Sequence, residues 1–332
     1  MNAITEAIDL LQQPARVFIT THHKPDGDAL GSTLGLYHFL KKLGHSPTVV
    51  SPSEVPGFLD WMPGIDTVFN FESEPKQCLK LLEESDYVFC LDFSRLDRIR
   101  TMEDALRKAP QPRILIDHHL SPETEAFRYG MSEPDKSSTC EMVYDFICLW
   151  GRKDLIDTDI AQCLYTGVMT DTGSFRFPIT SGPVHEMIAE LKKTGFDHAL
   201  IHQYVYDSWS AERMRFLGYV LYEKMEIFPN ENIGIIAVSQ AEQERFHVVA
   251  GDTEGMVNYP LSIGSITMSV LLTEKKDEVR LSFRSKGAID VASFAAEHFN
   301  GGGHFNAAGG RSADNLATTL DRLKKLLGIG QA

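Results

Sequence analysis

Three short apolar runs, each closing on carboxylate or imidazole, constrain this 332-residue chain more than anything else in it. They are "RVFITTHHKPDGD" from residue 16, "DYVFCLDFS" from residue 86 and "PRILIDHH" from residue 112. The stretches between them, "DALGSTLGLYHFLKKLGH", "KQCLKLLEES" and "MEDALRKAP", carry helical patterning, the first predicted to end at Gly44. Strands that are apolar on both faces and alternate with helices predict a parallel sheet covered on both sides. In such sheets ligands sit outside the carboxyl ends of the strands, so the polar ends of the three runs should gather at one edge. Residues 139–170 read as helix in two pieces broken near Gly151, closing on a fourth polar cluster, "MTDTGSFRF".

Residues 183–225 are mostly helical in pattern, and "DHALIHQYVYDSWSAERMRFLGYVLYEKM" reads as a connector. After it come longer alternating runs, "EIFPNENIGIIAVS", "SIGSITMSVLLTE" and "DEVRLSFRS", with helices expected around 290–298 and 314–327. The expected architecture is α/β. A doubly wound, mainly parallel sheet over residues 1–195 is joined by a helical connector, 196–225, to a smaller mixed-sheet α/β domain, 226–332. Tyr204, Tyr206 and Trp209 in the connector suit an interdomain hinge or a homodimer contact.

A net charge of −14, from 32 basic against 46 acidic residues, argues against wrapping long duplex nucleic acid on a basic surface. It leaves room for a short anionic substrate, because divalent cations can supply local positive charge. Five cysteines without paired short spacing indicate free thiols, not a disulfide frame or a zinc site. The N-terminus lacks a signal pattern and no apolar run approaches the roughly 20 residues of a membrane span. The expectation is a cytoplasmic protein with no membrane association.

Four successive element ends offer His22, Asp26 and Asp28; Asp92; Asp117, His118 and His119; and Asp171. Each has an ordinary explanation. Asp28 reads equally as the cap of a helix starting near Ala29, and a single histidine at 22 or 23 as a surface or core residue. Cys90 reads as strand core. Together, at one edge of one sheet, the residues make a donor set for hard divalent cations. Imidazole shifts the preference toward Mn²⁺, Fe or Zn²⁺. Two aspartates two apart in "HHKPDGD", with Pro25 and Gly27 setting the bend, can serve neighbouring ions. A metal pair needs a shared carboxylate and activates water for displacement at phosphorus.

Further on, "FNGGGHFNAAGG" at 299–310 reads as a glycine-rich loop whose backbone N–H groups form a nest for phosphate, with Gly302, Gly303 and His304 at its centre. Arg284 in "RLSFRSKG" suits bidentate phosphate capture. Alone it would read as an exposed strand-end charge.

With these motifs in this order, "HHKPDGDALGS", "CLDFS", "ILIDHH", "TDTGSFRF", "RLSFRSKG" and "FNGGGHFNAAGG", the chain resembles the DHH phosphoesterase superfamily and its C-terminal DHH-associated domain. Length and layout look most like the branch that degrades very short oligoribonucleotides and removes the 3′-phosphate of 3′-phosphoadenosine 5′-phosphate (pAp). The resemblance implies two divalent cations, Mn²⁺ ahead of Mg²⁺ or Co²⁺. One would be held by His22, Asp26 and Asp92, the other by Asp28, Asp92, His118 and Asp171. The family's spacing selects His22 over His23. It further implies that His119 faces the scissile phosphate and that Asp117 orients the histidines. Arg284, Gly302, Gly303 and His304 would bind substrate phosphate, and Ser32 is either a ligand contact or a helix-interior serine. Rival activities on the same site are polyphosphate or pyrophosphate hydrolysis and cleavage of pApA. A rival of another class is a non-catalytic nucleotide-binding module.

Overall fold

The apolar runs that end in acid become neighbouring strands of one sheet. The computed structural model describes residues 1–249 and 251–330, and its chain divides into two units, Met1–Ser208 and Trp209 onward. The first holds seven parallel strands: β1 Asn2–Ala3, β2 Arg16–Thr20, β3 Ser46–Ser51, β4 Phe69–Asn70, β5 Tyr87–Leu91, β6 Arg113–Asp117 and β7 Tyr129–Ser132. Their order is β1-β7-β6-β5-β2-β3-β4. From β2 the chain winds outward through β3 and β4, then returns to lay β5 on the other side of β2. The crevice at the carboxyl ends of β2 and β5 is therefore the switch point of the sheet, where doubly wound folds bind ligands.

Side-chain alternation explains why the strands read as continuously apolar. Phe18, Val88, Cys90 and Leu115 enter the core on one face, and Ile19, Phe89, Leu91, Ile114 and Ile116 the core on the other. Cys90 is thus a core residue. The helix that follows β2, Gly27–Lys42, ends just before Gly44, which takes the left-handed conformation (φ +85°) expected beyond a helix end. The two helices expected between 139 and 170 are Thr139–Leu149 and Thr158–Asp171. Strands β1, β4 and β7 had no sequence expectation; two of them have two residues each, and Gly130 interrupts the third.

The connector's helices part company. Ile201 and Val205 of His198–Tyr206 join the first unit's core, and Phe216 and Leu217 of Ala211–Tyr219 a core of the second. Tyr204 stacks on Trp61 with ring centroids 4.9 Å apart, and the Tyr206 hydroxyl lies 3.5 Å from the Met169 carbonyl.

The second unit is a mixed six-stranded sheet of β8 Met225–Phe228, β9 Ile233–Val238, β10 Met268–Glu274, β11 Val279–Ser285, β12 Gly302–His304 and β13 Ala307–Ser312. The order is β12-β13-β11-β10-β9-β8, with only β9 and β10 parallel. Helices Val291–Phe299 and Leu316–Leu326 cover one face. Here one expectation is corrected. The glycine-rich run is not an open nest; it forms the antiparallel hairpin β12–β13. Close packing demands some of its glycines: a Cβ on Gly301 would lie 2.0 Å from the Gly309 carbonyl oxygen and one on Gly303 2.5 Å from the Ala307 carbonyl oxygen. Among the described residues no helix is long and apolar enough to cross a membrane.

Candidate metal centre

Asp92 occupies the middle of the first unit's switch point, one residue beyond β5, with its backbone in the left-handed region (φ 64°). Such a conformation costs about 1–2 kcal/mol for a residue other than glycine. It is held by the Asp92 amide, which donates to the Ile116 carbonyl of β6 at 3.2 Å. The buried carboxylate has one oxygen 3.4 Å from His22 Nε2 and the other 3.6 Å from His118 Nε2.

Around Asp92 the donors fall into three overlapping sets, the third of them Asp92, Asp117 and His119. His22, Asp26 and Asp92 offer atoms all within 4.8 Å of one another, and so do Asp28, Asp92 and His118. Asp171, the last residue of the Thr158–Asp171 helix, adds a carboxylate oxygen 3.4 Å from His118 Nε2. His23 points elsewhere, 3.3 Å from Glu72.

Local structure fixes each donor. Asp26, and not Asp28, caps the Gly27–Lys42 helix, accepting from the Asp28 and Ala29 amides with one oxygen while the other lies 4.0 Å from His22. Asp28 faces inward instead. Its carboxylate accepts from the Thr139 and Cys140 amides at 2.6 and 2.8 Å, the N-terminus of the Thr139–Leu149 helix. The capping role read for Asp28 is therefore corrected. Ser32 is buried in the Gly27–Lys42 helix and donates to the Ala29 carbonyl, as its helix-interior reading has it.

The histidines are aimed by their δ-nitrogens. A carbonyl can only accept, so His22 Nδ1 donates to its neighbour His23 at 3.1 Å and His118 Nδ1 to Lys136 at 3.2 Å, leaving each Nε2 as the lone-pair nitrogen. Asp117 holds His119, accepting from its amide and, at 2.8 Å, from its Nδ1, and its charge also acts on His118.

Sequence reasoning missed Thr139, whose hydroxyl donates to Asp92 at 2.9 Å while its amide donates to Asp28. It also missed Gly27, Gly31 and Gly35, spaced four apart on one helix face. A Cβ on Gly31 would lie 2.5 Å from the Cys163 carbonyl oxygen, so the stripe lets the helices bearing Asp28 and Asp171 meet backbone to backbone. The four-residue spacing was the available signal.

Electrostatics show how strained this donor set is by itself. Burial, then the like charge of Asp92, pushes the Asp28 carboxyl up to about 7, and burial with Asp28 beside it pushes Asp171 well above the carboxylate range. Burial acts upward on Asp92 too, but His22, His119 and His118 outweigh it and hold this carboxyl well below the usual range. Burial pulls both imidazoles down, yet the surrounding carboxylates win and raise His22 and His118 to about 9. Crowded carboxylates that recruit protons onto imidazoles are what a divalent cation would replace, and the nitrogen–oxygen donor set fits one.

Residues 16–168 match the DHH family, N-terminal domain, and residues 220–328 match the DHHA1 domain. Over 93% of its length the chain is 30% identical to the bifunctional oligoribonuclease and PAP phosphatase NrnA of Thermus thermophilus, of which it covers 87%. This chain belongs to the DHH family. It is a metal-dependent phosphoesterase, an NrnA-like hydrolase. An exopolyphosphatase-related protein from Bacteroides fragilis shares 38% identity at a TM-score of 0.93, with 97% of this chain and 95% of that one covered. The exonuclease RecJ bound to manganese is 15% identical at a TM-score of 0.55, covering 97% of this chain and 94% of its own, which shows a common fold.

Proposed function

We propose that this DHH phosphoesterase hydrolyses very short oligoribonucleotides to mononucleotides and removes the 3′-phosphate of pAp, using two Mn²⁺ ions. The observation that carries the two-ion reading is Asp92, with one oxygen turned to His22 and the other to His118. His22, Asp26 and Asp92 hold one cation; Asp28, Asp92, His118 and Asp171 hold the other. Mixed imidazole and carboxylate donors favour Mn²⁺ over Mg²⁺, and the RecJ likeness with bound manganese points the same way. The pair of cations supplies Lewis-acid charge at phosphorus and lowers the pKa of the attacking water.

The protein's own groups do the rest. Asp117 fixes the tautomer of His119, so that Nε2 is the ring nitrogen presented to a phosphoryl or leaving-group oxygen. Thr139 holds the shared carboxylate in place. In the second unit Arg284 and His304 bind a substrate phosphate. Substrate identity is supported by the full-length likeness to an oligoribonuclease and PAP phosphatase. The likeness to an exopolyphosphatase-related protein favours a second reading, polyphosphate hydrolysis on the same centre.

A substrate panel separates them: AMP from pAp, mononucleotide from a short RNA, cleavage of pApA, and phosphate from polyphosphate, each with Mn²⁺ and with chelator. Metal-dependent release from pAp and short RNA is expected. Release from polyphosphate alone would overturn the proposal, and nucleotide binding without any turnover would favour a regulatory module.

A further inference from the structure

Phe305 sits at the two-residue turn of the β12–β13 hairpin, 46% exposed and outside the apolar core among the described residues. A lone exposed aromatic is ordinary, but this one rides on an unusually fixed turn. Its carbonyl accepts from the Val291 amide at 2.9 Å. Next to it, the Asn306 carbonyl accepts from the Ser285 amide at 3.1 Å, and the Asn306 side-chain amide donates toward Ser285 Oγ, the Gly287 carbonyl and the Ile289 carbonyl at 2.8–3.3 Å. The ring is therefore displayed to solvent on a backbone that cannot readily yield.

What lies beside it suggests the occupant. Arg284 is paired with Ala307, and Ala307 with His304, so the three form one row across β11, β13 and β12. Directly opposed residues in antiparallel strands share a face. Arg284 and His304 thus flank a small alanine on one side of the sheet, two strand spacings or about 10 Å apart at the backbone, a gap a phosphate can fill. Phe305 follows His304 immediately.

We propose that Phe305 is a stacking platform for the nucleobase of a substrate whose phosphate is held by Arg284 and His304. A rigid aromatic loses little freedom on stacking and accepts any base. It makes the second unit select nucleotides over base-less polyphosphates. This rests on the nucleotide reading above.

The test compares wild type, Phe305→Ala and Phe305→Trp on pAp and on the same bisphosphate lacking its base, with Mn²⁺ throughout. Alanine should raise KM for pAp about tenfold or more with kcat within about twofold, leave KM for the base-less compound unmoved, and be rescued by tryptophan. Alanine kinetics matching wild type on pAp, or an equal KM rise on both compounds, would overturn the inference. A wild type that turns over pAp while Phe305→Ala is unaffected removes this inference alone. A wild type acting on polyphosphate but not on pAp removes the nucleotide reading with it.

Discussion

Thr139 shows how much of the centre depends on a residue outside its carboxylate and imidazole donors. One side chain and one amide connect Asp92 with Asp28, and both bonds are buried. Replacing threonine by valine keeps the shape but withdraws the donor to Asp92. Such supporting bonds typically matter about 10- to 100-fold in metal affinity. Calorimetric titration of Thr139→Val with Mn²⁺ should show a loss in that range with an unchanged melting temperature in chelator. Proton competition gives a second expectation. His22 and His118 are raised to about 9 without metal, so on the proposed ligand assignment each ion would have to displace a proton from its histidine below that pH. Apparent affinity should rise with pH from 6 to 9, by up to about tenfold per unit for each proton released, and level off above. Flat affinity across that window would show that the imidazoles are not ligands.

At the scale of elements, the close approach of the Gly27–Lys42 and Thr158–Asp171 helices places Asp28 and Asp171 on either side of His118. Glycine in a helix ordinarily costs about 1 kcal/mol relative to alanine, so Gly→Ala should stabilise where space is open. At Gly218 a Cβ would meet nothing within 4 Å, so Gly218→Ala should gain melting temperature. Gly31→Ala should lose it, because the Cys163 carbonyl and Cys140 Sγ stand 2.5 and 2.8 Å from the new methyl. Thermal melts of the two variants check the sign of each. These elements also mark what a sequence reveals. The carboxylates could be read at 26, 28, 92, 117 and 171 because each closes a periodic run. Which of Asp26 and Asp28 caps the helix could not, since the partners of Asp28 lie more than 100 positions away at Thr139 and Cys140. The glycine-rich hairpin escaped for the opposite reason: its local composition says loop, and it becomes strand through pairing of β13 with both β12 and β11.

For the whole molecule, net charge bears on how long an RNA the proposed activity would accept. A net charge of −14 argues against an extended basic surface along which additional phosphates could be neutralised. On the proposed reading, each nucleotide beyond those gripped locally would add repulsion. Turnover of 5′-labelled RNA should therefore fall steeply as length rises from two nucleotides to about twenty, and rate constants for the shortest should depend only weakly on salt. Equal efficiency on long strands would mean that a basic track exists after all.

Everything in the catalytic reading turns on one carboxylate serving two ions. The direct measurement is anomalous diffraction from crystals of the Mn²⁺-loaded chain, with metal counted per protein in wild type and in Asp92→Asn. Two manganese peaks joined through Asp92, and loss of occupancy at both in the variant, are expected. A single peak, or two that persist undiminished in Asp92→Asn, would contradict it.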